Sequence, residues 1–441
     1  MAILIAYSTD NSIAARIRKG DFDQMRTDVE SYTSLGNVYL ITQDHKDYSG
    51  HFERVRHLPC GFNVSRPTRW ILFYLKSFLV LQRLANRVGV VRAYSVGNFV
   101  PAIICRLYRK PMVVSYEYDW SDQMRVGRQY LSNISRWIEG FVLRSSSVVV
   151  ALTRRLSDKA TKKGARRVVL IPNGVDPRLI PDVPNSERER IRNELGLGSG
   201  KIVLYVGRLH KIKRIDDLIR AMSEMRKRYP NVRLVVVGDG EERPRLKRLC
   251  QELGLANHVV FTGSVPLSRV YLLMKLADAF VLPSLMEGNP RVLIEAMHCG
   301  LPIVGTDVIG INDLIEDGRN GLLAEPCDPR ALAEAIELVL EDSGLARRLA
   351  ENARQEAVRT YDAETLLKRN VRLVALLNEK VCGKRSFNRT DLEVEESFPW
   401  TRKEKEGAEG LRDLLGRVHH EEYQRKWVSL RLGFAFMKNI E

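Results

Sequence analysis

From Lys201 onward, apolar runs rich in β-branched residues alternate with amphipathic segments. KIVLYV, VRLVVVG, HVVFTG, AFVLPS and LPIVGT are short, nearly all apolar and bounded by turn residues, the pattern of strands buried on both faces. Between them, Asp216 to Arg228, Glu241 to Leu253, Leu267 to Leu276 and Arg291 to His298 carry helical periodicity. Repeated βα units of this kind predict a doubly wound parallel sheet, and such sheets bind ligands at the carboxyl ends of their strands.

The first 180 residues carry the same rhythm less cleanly, in AILIAY, NVYLIT, VVRAYSV, PMVVSYE, SVVVAL and RVVLIP, which predicts a second Rossmann-like domain. The Pro-, Asn- and Arg-rich stretch from Pro172 to Gly200 separates the two. A chain of 441 residues also suits two cores better than one. The expected layout is α/β throughout: a first domain over residues 1–178, a second over 179–362, a further helix over 363–380, and a charged extension over 381–441 with no legible role.

Charge distinguishes the halves. Of the net +16, +14 falls in residues 1–180, +1 in 181–380 and +1 in 381–441. A field confined to one half predicts an anionic partner there, such as a membrane surface or a phosphorylated acceptor. Nucleic acid is disfavoured, because no recognisable binding motif or aromatic stacking platform accompanies the charge. The segment TRWILFYLKSFLVLQRLANRV sets Arg69, Lys76 and Arg83 at heptad spacing beside a broad apolar face. It fits a helix packed on a sheet with one wet edge, or a helix resting on an anionic bilayer.

No apolar stretch reaches the ~18 residues of a membrane span, and MAILIAYSTD lacks the basic start of a signal peptide, so it reads as a first strand. The six cysteines lie far apart with no zinc-like spacing, which predicts reduced thiols, mostly core filler, in a cytoplasmic protein that is at most peripheral to a membrane.

Candidate chemistry concentrates between Pro283 and Pro302, in PSLMEGNPRVLIEAMHCGLP. Asn289 followed by Pro290 suits a helix start, with Asn as N-cap and Pro at the first helical position. The backbone N–H groups from Gly288 through Arg291 to Val292, with the positive end of the helix dipole, then form an anion site fit for a phosphate. Glu295 lies ~7–8 Å along the helix from Pro290, a good offset for accepting hydrogen bonds from ribose hydroxyls. Glu287, on the loop before the helix, would face a sugar on the far side of the phosphates. In the first βα turn, YVGRLHKIKR, Gly207 permits close backbone approach, and Arg208 and Lys213 offer a cationic clamp for a diphosphate. Gly238-Asp239-Gly240 is expected to make a turn.

These stretches, VGRLHKIK, VVVGDGEE, VVFTGSVP, LADAFVLPSLMEGNPRVLIEAMHCGLPIVGTD and DLIEDGRNGLLAEP, follow the junction-like VVLIPNGVDP. Together they resemble the nucleotide-sugar domain of the retaining glycosyltransferases of family 4, which have the GT-B fold. The resemblance implies that Arg208 and Lys213 meet the donor phosphates, that Gly288 and Asn289 form the diphosphate loop, that Glu287 lies at the transferred sugar and Glu295 at the ribose. Pro290, Arg291, Gly207 and Val265 complete the implied donor site. It also implies that the helix over 363–380 crosses back to the first domain. The chain departs from the family at Arg214, where relatives have glycine, and at Asn289, where they often have phenylalanine. Ser8-Thr9-Asp10-Asn11-Ser12 stands where many relatives have a glycine pair. Tyr116 to Trp120 lacks their histidine, which leaves Glu117, Asp119 and Asn98 as acceptor-side candidates.

The implied activity is transfer of a sugar, with retention, from a nucleotide diphosphate sugar to a hydroxyl acceptor. A UDP-sugar is favoured over a GDP-sugar. No cofactor is expected, and no divalent metal either, since no Asp-x-Asp pair follows a strand in a metal-binding context. The basic first half suggests a lipid-linked saccharide or phospholipid acceptor at a membrane surface. The competing readings are a nucleotide-sugar epimerase or sugar phosphorylase on the same fold, and a non-catalytic donor-binding partner.

Overall fold

The computed structural model describes residues 2–7, 12–19, 22–63, 66–118 and 132–381. The apolar runs form two sheets. The first contains β1 (Ala2–Tyr7), β2 (Val38–Thr42), β3 (Val55–Pro59), β4 (Val88–Tyr94), β5 (Met112–Tyr116), β6 (Val148–Ala151) and β7 (Val168–Leu170), in the order β3-β2-β1-β4-β5-β6-β7. The second contains β8 (Ile202–Val206), β9 (Arg233–Val237), β10 (Val259–Gly263), β11 (Ala279–Leu282), β12 (Ile303–Thr306) and β13 (Leu322–Ala324), in the order β10-β9-β8-β11-β12-β13. All neighbouring strands run parallel. Strand order reverses between β1 and β4 and again between β8 and β11, so each sheet opens a crevice at its carboxyl edge there.

Two strands lie outside the expected set, and both are sheet edges. VRHLP of β3 exposes Arg56, and β13 is only three residues long. An edge strand needs less continuous apolar character than a central one, so its pattern is faint.

The first half carries α1 (Ile13–Lys19), α2 (Phe22–Ser31), α3 (Arg66–Leu84), α4 (Phe99–Leu107), α5 (Ser132–Ser145) and α6 (Arg154–Lys162). The second carries α7 (Asn185–Glu194), α8 (Ile215–Met225), α9 (Arg243–Glu252), α10 (Leu267–Leu276), α11 (Arg291–Cys299), α12 (Pro329–Glu341) and α13 (Ser343–Thr360), and α14 (Ala363–Val381) follows. Phe73 and Leu81 of α3, Ile104 of α4, Val142 and Leu143 of α5 and Leu156 of α6 share one core with Val91, Val114 and Val149 of the sheet. These four helices therefore cover one face, with their apolar stripes inward.

Among the described residues no helix is long and apolar enough to cross a membrane. Cys60, Cys105, Cys250 and Cys299 are free and buried, whereas Cys327 is exposed and does not serve as core filler. Cys382 and the rest of the charged extension lie outside the described residues.

Helix α14 packs on β4 and α2 of the first half. Its Asn370 Oδ1 accepts from Arg92 Nη2 at 3.1 Å, and the same nitrogen donates to Ser115 Oγ at 2.8 Å. Arg92 is buried within β4, with its guanidinium carbon 4.4 Å from the centre of the Tyr94 ring. A buried cation stays in place only if its donors are matched, so this contact helps fix α14 to the sheet. Asn370→Ala is expected to cost about 1–3 kcal/mol, read as a lower denaturant midpoint at unchanged slope. An unchanged midpoint would mean that the other partners of Arg92, among them Ser115, the Ala93 carbonyl and the Tyr94 ring, suffice to hold it.

Candidate functional site

The loops after β8 and β11 flank the switch crevice of the second sheet, and they meet at Glu287. Lys213 Nζ donates to Glu287 Oε1 at 2.5 Å, and Ser284 Oγ donates to the same oxygen at 2.6 Å. The Glu287 N–H donates to the Ile309 carbonyl at 3.1 Å, which brings in the loop after β12. Gly310 lies beneath at φ +86°, where a Cβ would stand 2.5 Å from the Glu287 carbonyl oxygen. Leu285 N–H bonds Ile212 O at 2.8 Å, and Thr306 Oγ1 bonds Ser284 O at 2.5 Å. Three βα loops thus hold one glutamate, two at its carboxylate and one at its main chain. Sequence reasoning missed Ser284, Thr306 and Gly310; only the glycine, in a Ile-Gly-Ile context, carried a signal for a special backbone position.

Gly207 and Arg208 lie in the same βα loop as Lys213. Gly207 N–H bonds Val237 O at 3.0 Å and Leu209 N–H bonds Asp239 O at 3.0 Å, and a Cβ at Gly238 would fall 1.9 Å from Gly207 O. Gly238-Asp239-Gly240 therefore lies beneath this loop, but it is not the expected turn: Gly238 bridges Gly263, and the chain turns one step later, at Glu241 and Glu242. Arg208 is exposed and has no ion-pair partner among the described residues. Arg214 adopts the left-handed conformation (φ 49°, ψ 40°), and its guanidinium clasps Asp217 at 2.6 and 2.7 Å. The family's glycine position thus keeps a glycine-like backbone with a side chain tied down beside it.

The helix start differs from the expectation. Pro290, not Asn289, occupies the N-cap position, and no side chain caps α11. The Asn289 side chain is engaged elsewhere: its Oδ1 accepts from Asn173 N–H at 2.9 Å, while Asn173 Nδ2 donates to Asn289 O at 2.9 Å. These two bonds, both donated by Asn173, join the helix start to the segment between the sheets. Gly288 completes the junction, since a Cβ there would lie 2.5 Å from the Glu117 carbonyl oxygen. The carboxyl edges of the two sheets meet at this point.

Glu295 is buried on α11, four residues after Arg291, whose Nε lies 3.3 Å from Glu295 Oε1. Burial pushes the Glu295 carboxyl up to about 7, and Arg291 opposes the shift only in part. Arg291 also reaches Gln24 of α2, a second contact across the cleft. On the first-half side, Glu117 directly follows β5, and its pKa is raised by desolvation, opposed by Arg92 and Arg16. Asn98 is buried and spends its Nδ2 on Tyr94 O (2.6 Å) and Ser95 O (3.0 Å), so its amide donors hold the β4–α4 turn rather than the cleft. Val265 is half-buried in the loop between β10 and α10. Asp119 and residues 8–11 lie outside the described residues. Among the described residues, no group of three or more His, Cys, Asp or Glu side chains is arranged to hold a metal ion.

Two consequences follow from this geometry. The folded chain holds a proton at Glu295 that the unfolded chain releases above about 4.5, so stability falls as pH rises from there through about 7. Urea midpoints of wild type should fall across that window relative to Glu295→Gln; parallel pH profiles would mean that Glu295 titrates normally. Gly310→Ala should cost about 1–2 kcal/mol from its backbone alone, seen as a lower melting temperature. An unaltered melt would contradict the tight seat described for Glu287.

Residues 187–356 match the family model of glycosyl transferases group 1, and residues 35–179 match that of Glycosyltransferase Family 4. Alpha-D-kanosaminyltransferase of Streptomyces kanamyceticus is 31% identical over 283 residues, which cover 62% of this chain and 73% of that protein. The GDP-mannose-dependent alpha-(1-6)-phosphatidylinositol monomannoside mannosyltransferase of Mycolicibacterium smegmatis is 34% identical over 216 residues, covering 47% of this chain and 55% of that one. Anabaena HepE, solved in complex with UDP, has a similar fold, with a TM-score of 0.68 at 23% identity over 85% of this chain and all of that one. Two doubly wound parallel sheets, a helix returning to the first of them and these matches together make the chain a member of glycosyltransferase family 4, with the GT-B architecture.

Proposed function

We propose that the protein transfers a sugar, with retention at the anomeric carbon, from a nucleotide diphosphate sugar to a hydroxyl on a lipid-borne acceptor. The observation that carries this reading is the Glu287–Lys213 pair at the crevice, beside a helix start that no side chain caps. In it, the diphosphate lies against the start of α11 and takes Lys213 from Glu287, and Arg208 adds a second cation where negative charge develops. Glu287, released from Lys213, accepts hydrogen bonds from the sugar, and Glu295 accepts from the ribose.

The bond from the anomeric carbon to the phosphate oxygen breaks, and its electron pair leaves with the diphosphate. The acceptor oxygen bonds that carbon from the same face, and its proton passes to the departing phosphate oxygen. These cations would do the work of a divalent metal, so activity should survive EDTA. UDP is favoured as the nucleotide. HepE was solved with UDP, although the mycobacterial relative is named for GDP-mannose. That relative's lipid acceptor and the +14 charge of residues 1–180 support an acceptor at an anionic membrane surface.

A thermal-shift panel of UDP- and GDP-sugars, followed by transfer assays with labelled donor and lipid or saccharide acceptors, tests the reading. A UDP-sugar should raise the melting temperature, and Lys213→Ala or Glu287→Gln should lower transfer about 10²- to 10³-fold. Donor epimerised without transfer, or full transfer by both variants, would defeat it.

A further inference from the structure

Away from the cleft, the outer face of α3, α4 and α5 does not have the pattern of a solvated surface. On α3 the outward line is Ile71, Leu75 and Leu79, spaced four apart and 62%, 58% and 53% exposed. Phe73, Ser77 and Leu81 face the sheet, Arg69 and Lys76 are half-buried flanks, and Arg83, exposed, ends the outward line four residues after Leu79. On α5, Ile134 and Trp137 are 58% and 67% exposed. A helix packed on a sheet with one wet edge puts charge outward. Here apolar side chains stand outward with charge around them.

That charge has one sign. The three helices carry seven Lys and Arg residues and a single acid, Glu139. Glu139 is fully buried and paired with Lys163 at 2.9 Å, so among their described residues these three helices turn no carboxylate outward to balance the cations. A partner must therefore be apolar within and anionic at its surface, a description met by a bilayer containing anionic lipid. Trp137 suits the boundary of such a partner, with an apolar ring and an N–H that seeks an acceptor.

We propose that the α3–α4–α5 face docks on an anionic lipid surface, with Ile71, Leu75, Leu79, Ile134 and Trp137 inserted among the headgroups and the Arg and Lys residues paired with phosphates. In a parallel sheet each connecting helix starts near the carboxyl edge. The first turns of α3 and α5 therefore stand at the edge of the first sheet where Glu117 meets Gly288. Docking there sets the mouth of the cleft beside the bilayer. The purpose of this surface rests on the proposed lipid-borne acceptor, although the surface itself does not.

The test is flotation of the full chain with phosphatidylcholine vesicles, with and without phosphatidylglycerol, at low and high salt. UDP-induced thermal shift is measured on the same samples. Wild type should float with anionic vesicles and far less with neutral ones. The double variant Leu75→Ser with Trp137→Ser should bind about tenfold more weakly or worse, with its UDP shift intact. Indole emission quenched by brominated lipid in wild type should drop in Trp137→Phe.

Three outcomes would overturn the proposal: no binding of wild type to anionic vesicles, equal binding by the double variant, or a wild-type dimer that the double variant abolishes. Vesicle binding without any UDP shift would instead count against the proposed function and leave this surface standing.

Discussion

The Glu287 carboxylate is the point on which the second half of the molecule converges. Lys213 reaches it from the loop after β8, Ser284 from the loop after β11, and the backbone at Ile309 and Gly310 holds its main chain from the loop after β12. A carboxylate this enclosed needs charge and hydrogen bonds to stay in place. The loops supply both, and in doing so fix their own conformations. The close-packed glycines follow from the same constraint, because Gly238 and Gly310 leave room that a side chain would take. Lys213 is itself partnered by Glu287, so an anion that drew on Lys213 would have to compete with that pair.

The contact between the halves is short-range and largely made by backbone. Gly288 abuts the Glu117 carbonyl, Asn173 donates two hydrogen bonds to Asn289, and Arg291 reaches Gln24. Further out, Arg92 and Asn370 hold α14 against the first sheet. The loop at Gly288 and Asn289 is thus also the joint between the sheets, next to the start of α11.

The central strands and most helices of the second sheet were legible because burial on both faces leaves continuous apolar runs. The helix expected over Leu267 to Leu276 has those bounds in the structure. Edge strands β3 and β13 were not legible, for the converse reason. In the site, Glu287 and Lys213 could be named from their motif, but their mutual ion pair could not, since 74 residues separate them. Asn289 was misread as a cap because local rules favour that role; a residue 116 positions away, Asn173, claims its amide instead. Heptad spacing left open which side of α3 faces out; in the fold Arg83 is exposed, Arg69 and Lys76 are half-buried, and Ile71, Leu75 and Leu79 stand outside.

A crystal structure of the complex with UDP would decide whether the Lys213–Glu287 centre receives the nucleotide's phosphates. The predicted result is diphosphate oxygens at the start of α11, with Lys213 Nζ within hydrogen-bond distance of them, no longer bound to Glu287, and the ribose against Glu295. A nucleotide bound elsewhere, or in this crevice with the Lys213–Glu287 pair intact and no phosphate at the helix start, would contradict it.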